Sequence, residues 1–90
     1  MLDDESNRDF VINNRGAVEQ SDGSYVDRSG TISWFNDDGE WHREEGPAVI
    51  YIYPDAEVWW LNNIIYSFND WLKLSTVSDE QKMMLRLQYA

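Results

Sequence analysis

One histidine and a run of oxygen-bearing side chains are the first candidates for chemistry. Asn36-Asp37-Asp38-Gly39-Glu40, followed by His42, could offer carboxylate and amide oxygens to a hard cation. An EF-hand loop needs acids at alternating positions and a glutamate at the twelfth. That spacing is absent, and a solvated hairpin tip accounts for the same residues. His42 could act as a general base, but no obvious nucleophile stands near it. It reads better as the hydrogen-bonded anchor of a loop. The chain has no cysteine, which excludes a thiolate metal site and a disulfide scaffold. No catalytic residue, metal or cofactor is therefore expected, and the chain is read as a binding protein rather than an enzyme.

Two other groups could make a binding surface. Asp37, Asp38, Glu40, Glu44 and Glu45 fall within nine residues. Same-face residues on a strand repeat at about 6.8 Å, so acids on adjacent hairpins could form a spaced row resembling a nucleic-acid backbone. A soluble rim around a hydrophobic core is the plainer reading of the same residues. Trp41, Trp59, Trp60 and Tyr66 are many aromatics for one thin sheet. Trp59 and Trp60 are neighbours on a strand and must point to opposite faces, so one face can be covered while the other stays partly exposed. Such a face is a hot spot by composition, and self-association would cover it equally well.

Charge distribution favours one class of partner. The chain carries a net charge of −10. Residues 1–57 hold fourteen acids and four bases, whereas residues 58–90 hold three of each. Direct binding to nucleic acid or an anionic membrane needs a basic patch and is disfavoured; a protein with a basic surface is favoured. Acidity that serves only solubility is the alternative. Met1-Leu2-Asp3-Asp4-Glu5 lacks the basic start of a signal peptide, and no apolar run reaches the ~18 residues of a membrane span. A cytoplasmic location is expected.

The elements that must position these residues follow from the pattern. Ninety residues make one small domain, and thirteen of them are aromatic, so large rings must supply much of the core. Residues 1–9 are acidic and expected to be flexible. Phe10-Val11-Ile12 reads as an edge strand turning at Asn13-Asn14, with residues 17–20 returning. Ser21-Asp22-Gly23-Ser24 and Arg28-Ser29-Gly30 are turn signals flanking Tyr25-Val26-Asp27. Residues 31–35 alternate, with Thr31, Ser33 and Phe35 on one face and Ile32 and Trp34 on the other. Gly39 supplies the left-handed position of the next turn. Residues 48–53 carry no charge and read as the strongest, central strand. Pro54 is placed second in the following turn. Residues 57–61 return, Asn62-Asn63 makes a two-residue hairpin loop, and residues 64–66 are the last strand.

The period then changes to helical. Ser67-Phe68-Asn69-Asp70 resembles a capping box, and Phe68, Trp71, Leu72 and Leu74 or Ser75 follow helical spacing. Ser78-Asp79-Glu80-Gln81 is a second box, after which Met83, Met84 and Leu87 form an apolar stripe, with Lys82 and Arg86 on the outer side. The expected organisation is residues 1–9 flexible, 10–66 an antiparallel meander, and 67–90 helical and packed on the sheet. The fold class is α+β.

An internal repeat gives this meander a resemblance. Trp34-Phe35-Asn36-Asp37 to His42 recurs about 25 residues later as Trp59-Trp60-Leu61-Asn62 to Tyr66. His42-Arg43-Glu44-Glu45-Gly46-Pro47-Ala48 resembles the His-Arg-Glu-Asp-Gly-Pro-Ala repeat of small bacteriophage proteins with MORN-like hairpins. Trp59-Trp60-Leu61-Asn62-Asn63 resembles their Trp-Tyr-Leu-Asn-Gly line, with Asn63 in place of the glycine and Tyr66 in place of the histidine. The closing residues 66–72 resemble the terminal helix of such arrays. The likeness covers about residues 30–75, two or three units at most. It implies a phage origin and a binding role that disables or redirects a host protein, a defence protein included (anti-CRISPR-like), and it implies no catalytic residues. The acidic run and the aromatic face together make the protein-binding set Asp37, Asp38, Glu40, Trp41, Glu44, Glu45, Trp59, Trp60 and Tyr66. A structural module that self-associates through its aromatic face is the competing expectation.

Overall fold

A computed structural model describes residues 5–89. Helix α1 (Asn7–Arg15) is followed by β1 (Val18–Glu19), β2 (Tyr25–Val26), β3 (Ile32–Ser33), β4 (Val49–Tyr51), β5 (Ala56–Leu61) and β6 (Ile64–Tyr66), then α2 (Phe68–Leu74) and α3 (Asp79–Tyr89). The six strands lie in sequence order, every neighbour antiparallel. The meander and the two C-terminal helices agree with the α+β expectation.

The strands are short, and side chains in the turns hold them in register. Asp22 accepts from the Ser24 N–H and hydroxyl at 3.0 and 2.6 Å. Asp27 accepts from the Ser29 N–H and hydroxyl and from the Thr31 N–H. Asn36 Oδ1 accepts from the N–H groups of Asp38 and Glu40, each at 3.0 Å. These are Asx turns, in which a short polar side chain stands in for a backbone acceptor. Gly39 has φ +77°, and a Cβ there would lie 2.6 Å from Ser6. Asn62 and Asn63 have φ of 49° and 70°, as a type I′ hairpin requires.

The first expected strand is instead a helix. Ser6 caps α1 by accepting from the Asp9 N–H, Asp9 sits in the first turn, and Gly16 closes the helix at φ 68° with its N–H on the Val11 carbonyl. Phe10 and Ile12 are exposed and Val11 is buried, so the three-residue apolar run has one inward position, as on a helix. The meander therefore begins at Val18, not residue 10. Of the stretch expected to be flexible, residues 7–9 are helical and residues 1–4 lie outside the described residues, as does residue 90. Residues 48–53 yield a strand of three residues. Residues 52–55 form the turn, Tyr53 is 90% exposed, and Pro54 stands third in that turn behind a cis peptide bond.

The core lies on one face of β5. Trp59, Leu61, Trp71, Leu72 and Leu85 are buried together, with Tyr66, Phe68, Val77 and Tyr89 packed around them. Trp59 is the hub: its ring centroid is 4.7 Å from Trp71, 4.8 Å from Phe68 and 5.1 Å from Tyr89, the last edge-on. Aromatic pairs at such separations contribute about 0.5–1.5 kcal/mol beyond their area. Ser67 and Ser78 cap as expected, the Ser67 hydroxyl accepting from the Asp70 N–H and Ser78 exchanging bonds with Gln81.

Helix α3 is rotated relative to the expected arrangement. Leu85 is buried, whereas Met83, Met84 and Leu87 are 61%, 64% and 79% exposed. Tyr89, one turn beyond Leu85, packs edge-on against Trp59, and this aromatic contact sets the inward face. Lys82, half-buried, and Arg86, exposed, lie beside Leu85 and line an open cleft with α2. On α2, Trp71, Leu72 and Ser75 are buried and Leu74 is exposed.

Candidate functional site

The nine residues expected to bind a partner divide into three groups. Trp59 and Tyr66 belong to the helix-covered core, so neither presents the exposed ring expected of it. Trp41 and Trp60 lie on the opposite face. Their rings are 5.2 Å apart and continue a ladder through Phe35, 6.2 Å from Trp41, to Tyr25, 5.5 Å from Phe35. All four are half-buried. The ladder follows from register. Tyr25 pairs with Ser33 and Val49 with Val58, so Phe35 and Trp60, two residues further along their strands, share that face. The Phe35–Trp41 bridge adds the fourth ring. The indole N–H groups of Trp41 and Trp60 are buried without an acceptor. Desolvation raises the Tyr25 hydroxyl above its ordinary pKa, with the Glu19 carboxylate adding to the shift.

The acids divide by what already occupies their oxygens. Asp37 and Asp38 stand exposed at the hairpin tip. The tip is fixed from beneath: Asn36 donates to Glu40 and to Asn62, Arg8 N–H donates to the Gly39 carbonyl, and the Asn7 amide bonds Asn63. Glu40 thus serves the turn. Glu44 is also engaged, its Oε1 accepting from the N–H and hydroxyl of Thr76 at 3.2 Å each and its Oε2 lying 3.2 Å from His42 Nε2. Glu45 is exposed. The acids do not form one row. Asp37 and Asp38 cap a tip, while Glu44 ties the meander to the α2–α3 linker.

His42 is a loop anchor, as its motif suggests. Its Nδ1 accepts the Asn62 N–H at 2.9 Å, which fixes the proton on Nε2 facing Glu44. The neighbouring chain is sewn to β5 and α2: Arg43 N–H donates to the Trp60 carbonyl, Asn63 N–H to the Trp41 carbonyl, and Trp71 Nε1 to the Arg43 carbonyl at 3.0 Å. Pro47 is fully buried behind this loop. Thr76, Glu44 and His42 superficially suggest a catalytic trio, but the carboxylate sits between the hydroxyl and the imidazole. A triad needs the hydroxyl on the imidazole, and here the other ring nitrogen is held by a backbone N–H. The arrangement orients a loop and activates no nucleophile.

An open pocket of about 420 Å³ adjoins this anchor, lined by Trp34, His42, Arg43, Glu44, Thr76 and Gln81 among others. The Arg43 guanidinium lies 4.1 Å over the Trp34 ring and donates to the Pro47 carbonyl. Burial lowers its pKa from the ordinary arginine value. Arg43 Nε and Trp34 Nε1 are buried donors without acceptors. Stacking on the indole and the nearby Glu45 charge both favour the cation. No group of three or more His, Asp or Glu side chains among the described residues is placed to hold a metal ion, and no described helix is long and apolar enough to cross a membrane.

Comparison with protein-family models, curated proteins and solved structures finds no match to this chain.

The Asx network has a local signal: Asp22-x-Ser24, Asp27-x-Ser29 and Asn36-x-Asp38 each put a short acceptor two residues before its donor. The Glu44–Thr76 link spans 32 residues and left no local signal.

Proposed function

We propose that this chain is a small, non-enzymatic binding protein of bacteriophage type, built on MORN-like hairpins, that inhibits or modulates a host protein by occupying a basic surface. The observation that carries the reading is the uncompensated charge of the hairpin tip. Asp37 and Asp38 are exposed, and no Lys or Arg among the described residues comes within ion-pair distance of either, nor of Glu45, which lies near the Arg43 cation. Unpaired surface charge steers encounter with an oppositely charged partner and loses its effect as salt rises. The Trp41–Trp60 ladder beside the tip supplies the apolar contact such a complex needs. A nucleic-acid-binding or defence protein offers the matching basic surface, and the site of action is the host cytoplasm.

The test is affinity capture from a bacterial lysate at low and high salt, with Asp37→Asn/Asp38→Asn/Glu45→Gln beside the parent chain. Retention of one dominant basic protein at low salt, lost at high salt and in the variant, supports the proposal. Equal retention by parent and variant overturns it. Glu44 is left unchanged because its oxygens hold Thr76 and His42.

A second reading, a module that assembles with copies of itself, is favoured by the exposed stripe of Met83, Met84 and Leu87. Recovery of the bait alone, as an oligomer insensitive to salt, supports that reading instead.

A further inference from the structure

The cleft between α2 and α3 has the opposite sign to the rest of the molecule. Asn69, Leu72, Lys73, Lys82 and Arg86 enclose about 320 Å³. Lys73, Lys82 and Arg86 are three of the chain's seven cations, and no carboxylate lines the cleft. Among the described residues none of the three has a carboxylate oxygen within 4.0 Å. The placement is a product of the fold. Seating Leu85 and Tyr89 against Trp59 and Trp71 places Lys82 and Arg86 on the side of α3 that borders α2, Lys82 half-buried and Arg86 exposed.

We propose that this cleft binds the diphosphate group of a small phosphorylated ligand. Three cations around one concavity that no carboxylate lines create a local positive potential. Arg86 can meet a phosphate with two parallel N–H donors, and the two lysines act as mobile point charges. A monophosphate carries about −1.5 to −2 at neutral pH and leaves a cation unmatched; the further charge of a diphosphate engages all three. The Asn69 amide supplies a neutral donor, and the buried Leu72 side chain forms an apolar floor. Long polyanions are excluded by the remainder of the surface. Screening confines the attraction to about 8 Å at physiological ionic strength, so a nucleic-acid strand leaving the cleft meets the acidic meander.

The experiment is a titration of the full chain with inorganic pyrophosphate and with ADP at low salt, followed by amide and side-chain NMR shifts. Lys82→Gln/Arg86→Gln serves as the test variant and Arg15→Gln/Arg28→Gln as the control. Both pairs lie outside the core, and far-UV circular dichroism checks their folding. Saturable shifts centred on Asn69, Lys73, Lys82 and Arg86 are expected. The affinity should fall at least about tenfold in the test variant and be unchanged in the control. Tighter binding of ADP than of pyrophosphate would assign the Leu72 floor to the nucleoside; equal binding would assign the site to the diphosphate alone. Shifts that fail to saturate, or that weaken equally in both variants, overturn the proposal. So would shifts at these residues that grow with protein concentration without added ligand, because the occupant would then be the acidic tip of a second copy.

Discussion

Replacing Leu85 by alanine and, separately, Met83, Met84 and Leu87 together by glutamine distinguishes the two faces that α3 could bury. Leu85 is 9% exposed and touches the cluster built on Trp59 and Trp71. Truncating a buried leucine costs about 2–5 kcal/mol, depending on how far the site can collapse. Helix α3 packs at the periphery and can settle inward, so the lower part of that range, about 2–3 kcal/mol, is expected. A chain of 90 residues has a total stability of roughly 5–13 kcal/mol, so this single change removes a substantial fraction. The triple variant alters far more apolar surface but should cost less than about 1 kcal/mol in all. Its three side chains are 61–79% exposed, and glutamine has nearly the helix propensity of methionine and leucine.

The opposite orientation reverses the magnitudes. Were the methionine stripe the inner face, three polar replacements would forfeit about 1.5–3 kcal/mol of burial each, enough to unfold the domain. Urea unfolding followed by tryptophan fluorescence reads both variants on one scale, provided the m-value is unchanged. A triple variant that unfolds, beside a Leu85→Ala chain within about 1 kcal/mol of the parent, would refute the packing of α3. The placement of Lys82 and Arg86 on the cleft beside α2 would fall with it.

Other consequences are equally specific. Trp71→Phe keeps most of the buried ring but leaves the Arg43 carbonyl without its donor; a loss of about 2–3 kcal/mol in urea unfolding is expected, combining the orphaned acceptor with lost volume. Glu44→Ala should cost about 1 kcal/mol by freeing Thr76 and His42, whereas Asp37→Asn/Asp38→Asn should stay within about 0.5 kcal/mol; equal losses would show that the tip acids are structural. The Asp22 carboxyl lies below its ordinary value of 3.8 because the Ser24 hydroxyl and N–H bond its ionised form. A lowered native pKa means that the unfolded chain binds more protons in that window. The stabilisation is thus present above pH 3.8 and lost as pH falls towards the native value. Asp22→Asn should flatten the acid limb of a thermal-unfolding profile, and an unchanged limb would place the effect elsewhere.

Where structure depends on neighbours in the chain, it was legible. The Asn62-Asn63 turn, the Gly39 turn and the Ser67 and Ser78 caps are local devices, and each forms where the residue types require it. Helix α1 was legible too but outweighed: Ser6-x-x-Asp9 is the same signal as Ser67-x-x-Asp70, yet the apolar triplet 10–12 suggested a strand. The orientation of α3 could not be read. Leu85 with Tyr89 and the Met83, Met84 and Leu87 stripe are both valid helical faces, and only the position of Trp59, 26 residues before Leu85 in the chain, chooses between them. For the binding set, alternation placed Trp59 and Trp60 on opposite faces correctly. The two-residue loop at Asn62-Asn63 also sets Tyr66 opposite Trp59 and so on the same face, but no local pattern showed that Glu44 would be taken up by Thr76.

The distribution of internal partners makes the effect of salt a discriminating measurement, since folding and binding should respond with opposite signs. Asp22, Asp27, Glu40 and Glu44 accept internal hydrogen bonds from neutral donors, and no Lys or Arg among the described residues lies within ion-pair distance of a carboxylate. Folding therefore concentrates negative charge without pairing it, and a net charge of −10 opposes the compact state. Added salt screens that repulsion over a Debye length of about 8 Å at 0.15 M, against about 30 Å at 0.01 M. Stability should rise between those concentrations. Capture of a basic partner should fall over the same range, because the field that destabilises the free chain is the one that attracts the partner. If stability also fell with salt, the acids would be held by ion pairs, and the exposed tip would no longer be available as a steering charge.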